Sequence, residues 1–140
     1  LSPELFRKYI KPTYKRICGE VRKNPKTLIH MHSDGYILNL LDDIMECGVD
    51  IYNLQDLVNG IDNIAEALKG RVAIDLDLDR QNITVKGSPK DCDDLIREEV
   101  EKLGSIQGGL SIVYQLWETV PLANAAAIMD AMEKYSDFYN

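Results

Sequence analysis

The chain has 140 residues, 45% hydrophobic and 28% charged, enough for one domain with a core of its own. A formal net charge of −7 excludes a general nucleic-acid or anionic-membrane binder, which needs a basic surface. The three cysteines, Cys18, Cys47 and Cys92, are too widely spaced for a disulfide framework or a thiolate metal cluster, and no apolar run is long enough to span a bilayer, so a cytoplasmic location is expected.

Ser2-Pro3-Glu4 has the order of a helix start: N-cap hydroxyl, proline at the first helical position, acid in the first turn. Because the chain begins with Leu1 directly before this signal, it reads as a piece of a longer polypeptide. The first helix extends to Val21, with Pro12 as a kink or break, and Asn24-Pro25 stops it. Its basic residues, among them Arg7, Lys11 and Arg22, are expected to form a solvated face. A short apolar run, residues 27–33, is predicted as a buried strand. Residues 36–47 carry a helical stripe of Ile37, Leu40, Leu41, Ile44 and Met45, closed by Gly48. Residues 49–54 are a second strand and 61–68 a helix ending at Gly70. Residues 71–78 are a third strand, and Ser88-Pro89 opens a helix through Leu103. Its acids, including Asp91, Asp93, Asp94, Glu98, Glu99 and Glu101, are expected to lie in water. Residues 109–114 are a fourth strand, and 121–139 the last helix.

The order is a helix, then strand and helix four times over. Alternation of this kind builds an α/β fold with a parallel sheet covered by helices. Two architectures fit: half of a TIM-type (βα)8 barrel, whose whole is about 250 residues, or a four-stranded open sheet.

Side chains along a strand alternate faces, so His30, His32 and Asp34 point one way. They run to a strand end just before Gly35, and parallel folds place their chemistry at that end. The set is suited to a metal bound by His32 and Asp34, with His30 deeper, or to proton transfer; satisfied hydrogen bonding of a polar interior is the other reading. Asp75, Asp77 and Asp79 alternate likewise along the third strand, either as a carboxylate ladder facing a pocket or as a face in water. Asn53 and Gln55 end the second strand, where they could orient a substrate or cap the next turn. Tyr114 and Trp117 could line a pocket or pack.

Several patterns together resemble the C-terminal half of the uroporphyrinogen decarboxylase superfamily. They are Ser2-Pro3-Glu4-Leu5-Phe6 with Pro12-Thr13-Tyr14, then His32-Ser33-Asp34-Gly35, then Cys47-Gly48-Val49-Asp50. Asp79-Arg80-Gln81, Gly87-Ser88-Pro89, Gly108-Gly109-Leu110 and Val120-Pro121-Leu122-Ala123-Asn124 follow in order. The resemblance implies a (βα)8 barrel whose N-terminal half lies elsewhere and pairs with these residues. It also implies one of two activities. One branch moves methyl groups from corrinoid proteins to thiols using zinc, held partly by a His-x-Cys-Gly motif. His32 and Gly35 fit that motif, whereas Asp34 stands at the cysteine. A further cysteine of that branch falls in a stretch where this chain has Gln115 and Glu118. The other branch decarboxylates porphyrinogen acetate groups and carries a late histidine close to the place of Tyr114.

The resemblance leans to the methyltransferase branch. Taken with it, the candidate metal ligands are His32 and Asp34, completed by Glu118 or Gln115; the candidate catalytic residues are Asp79 and Tyr114, and the candidate cofactor contacts Asn53 and Gln55. Expected partners are a corrinoid protein or a tetrapyrrole substrate. A non-catalytic half barrel is the remaining class; its open sheet edges would favour a homodimer.

Overall fold

The computed structural model describes residues 2–139. Four parallel strands form one sheet in the order β1-β2-β3-β4: β1 (His30–Ser33), β2 (Ile51–Gln55), β3 (Ala73–Asp77) and β4 (Leu110–Val113). Helices precede, separate and follow them, as in a partial TIM-type barrel. Each strand is shorter than its expected run and starts later: β1 at His30, β2 at Ile51, β3 at Ala73 and β4 at Leu110, while β2 runs on to Gln55.

The N-terminal segment is α1 (Pro3–Leu5), a π-turn (Phe6–Ile10) and α2 (Lys11–Val21). The widened turn lies directly before Pro12, which has no N–H for the carbonyl four residues back. The basic face expected to be solvated is partly consumed. Arg7 Nε and Lys11 Nζ donate to buried Asp43 at 2.8 and 2.7 Å, and Arg22 pairs with Asp50. These ion pairs fasten α2 to α3 (Leu41–Met45) and to the start of β2. The predicted 36–47 helix is broken into a 3-10 turn (Leu38–Leu40) and the short α3.

After β2 come α4 (Asp56–Asn59), unmarked by any sequence periodicity, and α5 (Ile61–Leu68), where predicted. After β3 come α6 (Ile83–Lys86), also unmarked, and α7 (Pro89–Leu103). The start of α7 is a full capping box: Ser88 N donates to Asp91 Oδ2 at 2.7 Å, and Asp91 N donates to Ser88 Oγ at 3.3 Å. The last helix, α8 (Leu122–Tyr135), ends short of residue 139.

One face of the sheet is the core. Tyr52, Leu54, Ile74, Leu76 and Leu78 meet Ile64 and Leu68 of α5, Ile96 and Leu103 of α7, and Ile128 of α8, all buried. Each such side chain contributes about 1.5–3 kcal/mol by leaving water, which fixes strand register, since a one-residue slip would turn every one of them outward. No helix among the described residues is long and apolar enough to cross a membrane.

Candidate functional site

The opposite face of the sheet is polar. Strand alternation puts His30 and His32 of β1, Asn53 and Gln55 of β2, Asp75 and Asp77 of β3 and Ser111 of β4 on it. Register sets His32 beside Asn53, Asn53 beside Asp75, and Asp75 beside Ser111. The row is bonded throughout. Asn53 Nδ2 donates to the Asp75 carbonyl at 2.6 Å, which leaves Asn53 Oδ1 as an acceptor 2.5 Å from His32 Nδ1. Nδ1 is therefore the donor of this pair, and in the neutral tautomer that goes with it the lone pair lies on Nε2. His30 Nε2 lies 3.1 Å from Asp75 Oδ2, and Ser111 Oγ donates to Asp75 Oδ1 at 2.5 Å.

The turn after β1 is shaped by the neighbouring strand end. Gly35 has φ of 77°, which suits a residue without Cβ. Its N–H donates to Gln55 Oε1 at 2.8 Å, and its carbonyl accepts from Asn59 Nδ2 at 3.1 Å. Asp34 is thereby held over the strand ends, its Oδ2 3.6 Å from His32 Nε2. Arg80, after β3, closes this rim. Its Nη2 lies 3.1 Å from Asp34 Oδ1 and 2.9 Å from Asp77 Oδ2, and its Nη1 donates to Gln115 Oε1 at 2.9 Å. The Asp77 side chain is 2% exposed. Neither of its oxygens has an aligned donor, so the Arg80 contact is one of charge rather than of hydrogen-bond geometry. Burial raises the Asp77 pKa, and the Arg80 charge pulls against it.

The loop bearing Arg80 is pinned from below. Asp79 accepts from the N–H groups of Asn82, at 2.9 Å, and Thr84, at 3.2 Å, while Thr84 Oγ1 donates to the Asp79 carbonyl at 2.7 Å. Asp79 N donates to Asp56 Oδ2 at 2.8 Å. Asp56 in turn adjoins Glu99 of α7, and both are fully buried. No donor is aimed at either Glu99 oxygen. Two carboxyls stay together in such a place only if one keeps its proton, and burial pushes Glu99 well above the ordinary carboxylate range.

The residues singled out from sequence divide accordingly. His32 and Asp34 come together at the strand end, with His30, Asn53, Asp75 and Asp77 around them. Gln55 shapes the Gly35 turn. Asp79 leaves the ladder because β3 stops at Asp77, and backbone N–H groups occupy its carboxylate. Tyr114 packs with the helix-facing core, and burial raises its pKa. Glu118 lies exposed between β4 and α8. Among the described residues no group of three or more His, Cys, Asp or Glu side chains is placed to hold a metal ion. The three cysteines are all buried. Glu99 corrects the solvated reading of the α7 acids: it shares the stripe of Cys92, Leu95, Ile96 and Leu103, four residues before Leu103. Arg80 and the Asp56–Glu99 pair were missed. Arg80 had one visible signal, a lone cation in a run of alternating aspartates at a strand end.

No curated protein matches this chain. The family model of uroporphyrinogen decarboxylase (URO-D) covers residues 1–135. That span takes in every strand and every residue of the polar row. The chain belongs to the uroporphyrinogen decarboxylase (URO-D) family.

Proposed function

We propose that this chain forms one wall of the pocket of a URO-D family enzyme that transfers a methyl group from a corrinoid to a thiol. Further strands of the same protein would complete the barrel. The observation that carries the reading is the Nε2 lone pair of His32, fixed by the Asn53 contact at 2.5 Å and aimed along the rim beside Asp34. A base so placed can take the proton of a thiol, and the thiolate is the nucleophile. Asp34 and the other carboxylates steady the imidazolium that results. A methylated corrinoid, when bound, would supply the methyl group as an electrophile.

Zinc is the metal that the family resemblance suggests for such a reaction, and catalytic zinc takes three protein ligands. His32 and Asp34 offer two donors, and the Arg80 guanidinium already lies 3.1 Å from Asp34. These residues do not make a zinc site by themselves, and no step above uses one.

Porphyrinogen decarboxylation is the second reading, favoured by His30 at 3.1 Å from Asp75. A carboxylate-held imidazole can return the proton that carbon needs once CO2 has left. Against it, the Arg80 guanidinium is already taken by Asp34 and Asp77, and Asp75 adds a third carboxylate nearby, so a polycarboxylate would meet like charge on this wall.

The test uses the full-length protein. It is incubated with methylcobalamin and 2-mercaptoethanol, following loss of the methyl–cobalt absorbance and formation of the methyl thioether by mass spectrometry. A parallel incubation with uroporphyrinogen is read for lost carboxyl groups. Thioether formation that collapses in His32→Ala supports methyl transfer. Carboxyl loss alone replaces it with the second reading, and neither activity points to a non-catalytic module.

A further inference from the structure

Among the described residues Arg80 is the one cation of the polar rim, and its partners come from three different strand ends. Asp34 follows β1, Asp77 is the last residue of β3, and Gln115 follows β4. Its side chain is only 18% exposed, so the guanidinium is shielded from water and its contacts are stronger than on an open surface. The charged and titratable groups acting on Asp77 are Arg80, His32, Asp34 and Asp75. Of these, Arg80 alone is permanently positive. A carboxylate as buried as Asp77, with no aligned donor, is costly without a countercharge. The same Nη2 that meets Asp77 holds Asp34 Oδ1, leaving Asp34 Oδ2 on the His32 side.

We propose that Arg80 is a positioning residue of this site: it is the countercharge of the buried Asp77 carboxylate and the group that turns Asp34 toward His32. Its effect on catalysis rests on the methyl-transfer reading. Its effect on Asp77 does not, so the two fail separately.

Lysine can keep the charge but not the fork that spans Asp34, Asp77 and Gln115, whereas glutamine keeps donors and loses the charge. The experiment compares Arg80→Lys and Arg80→Gln in the full-length protein labelled with 13C at the aspartate carboxyls, at pH 7. In Arg80→Gln the Asp77 carboxyl signal moves to its protonated position. In Arg80→Lys it stays at the ionised position, while the Asp34 signal shifts in both. An Asp77 signal that remains ionised in Arg80→Gln, or that responds alike in the two variants, overturns the proposal. If Arg80→Gln does not fold, Asp77→Asn is added to it. Recovery of folded protein in the double variant supports the countercharge role, since the group needing the charge is gone. Failure to recover overturns it.

Discussion

Glu99→Gln should stabilise the protein, and the gain should grow with pH. Glu99 is 0% exposed and Asp56 1% exposed. Asp56 is already committed as an acceptor, from Leu57 N at 2.5 Å and Asp79 N at 2.8 Å, so the retained proton belongs on Glu99. Burial is the largest cause of its raised pKa, and Asp56 adds to it. The unfolded chain loses that proton near the ordinary value of 4.5, while the native state keeps it. Above that value the native state binds more protons than the unfolded state, so native stability falls as pH rises. The slope is about 1.4 kcal/mol per pH unit, until the native carboxyl itself ionises. Stability from this group is thus complete below the unfolded value and lost on the alkaline side. Glutamine fills the same space, keeps a donor for Asp56 and has no proton to lose. Urea denaturation of both proteins at pH 5, 6 and 7 should show the difference in unfolding free energy widening by roughly 1.4 kcal/mol per unit. A difference that is flat with pH would refute the shared-proton reasoning. A variant less stable by a constant amount would mean that Glu99 is ionised and paired.

Two further outcomes follow from the packing. Leu76→Ala, in the fully buried centre of the sheet, should cost about 2–5 kcal/mol in denaturant unfolding; a loss under about 1 kcal/mol would mean that this face is not the core. Asp79→Ala should cost about 1–2 kcal/mol by freeing the Asn82 and Thr84 N–H groups. Hydrogen exchange should then quicken at those amides while Ile96 of α7 keeps its protection, and unchanged exchange at Thr84 would contradict the role given to Asp79.

The architecture was legible because its signals are local and repeated. Helix α5 lies where an apolar stripe ends before Gly70, and α7 where Ser88-Pro89 opens a helix through Leu103. The alternation along His30 to Asp34 and from Asp75 to Asp77 placed both sets on one polar face. What could not be read was pairing across the sheet. Nothing near His32 in sequence names Asn53 as the group that sets its tautomer, and nothing near Arg80 names Asp34, 46 positions away. The short helices α4 and α6 carry too few residues for periodicity to show, and the carboxylate that accepts from Thr84 N in the first turn of α6, Asp79, lies outside that helix. Asp79 reads from sequence as the third member of the Asp75 and Asp77 ladder. Alternation holds only while the strand lasts, and β3 ends two residues earlier.

The most direct measurement is the rate of methyl transfer from methylcobalamin to a thiol by the full-length protein, beside His32→Gln, across pH 6 to 9. If His32 is the base, the variant should be slower by about 10²–10⁴-fold near neutral pH. The deficit should shrink as the thiol ionises unaided at the alkaline end. Equal rates in the two proteins, or a deficit that does not change with pH, would contradict a proton-accepting His32.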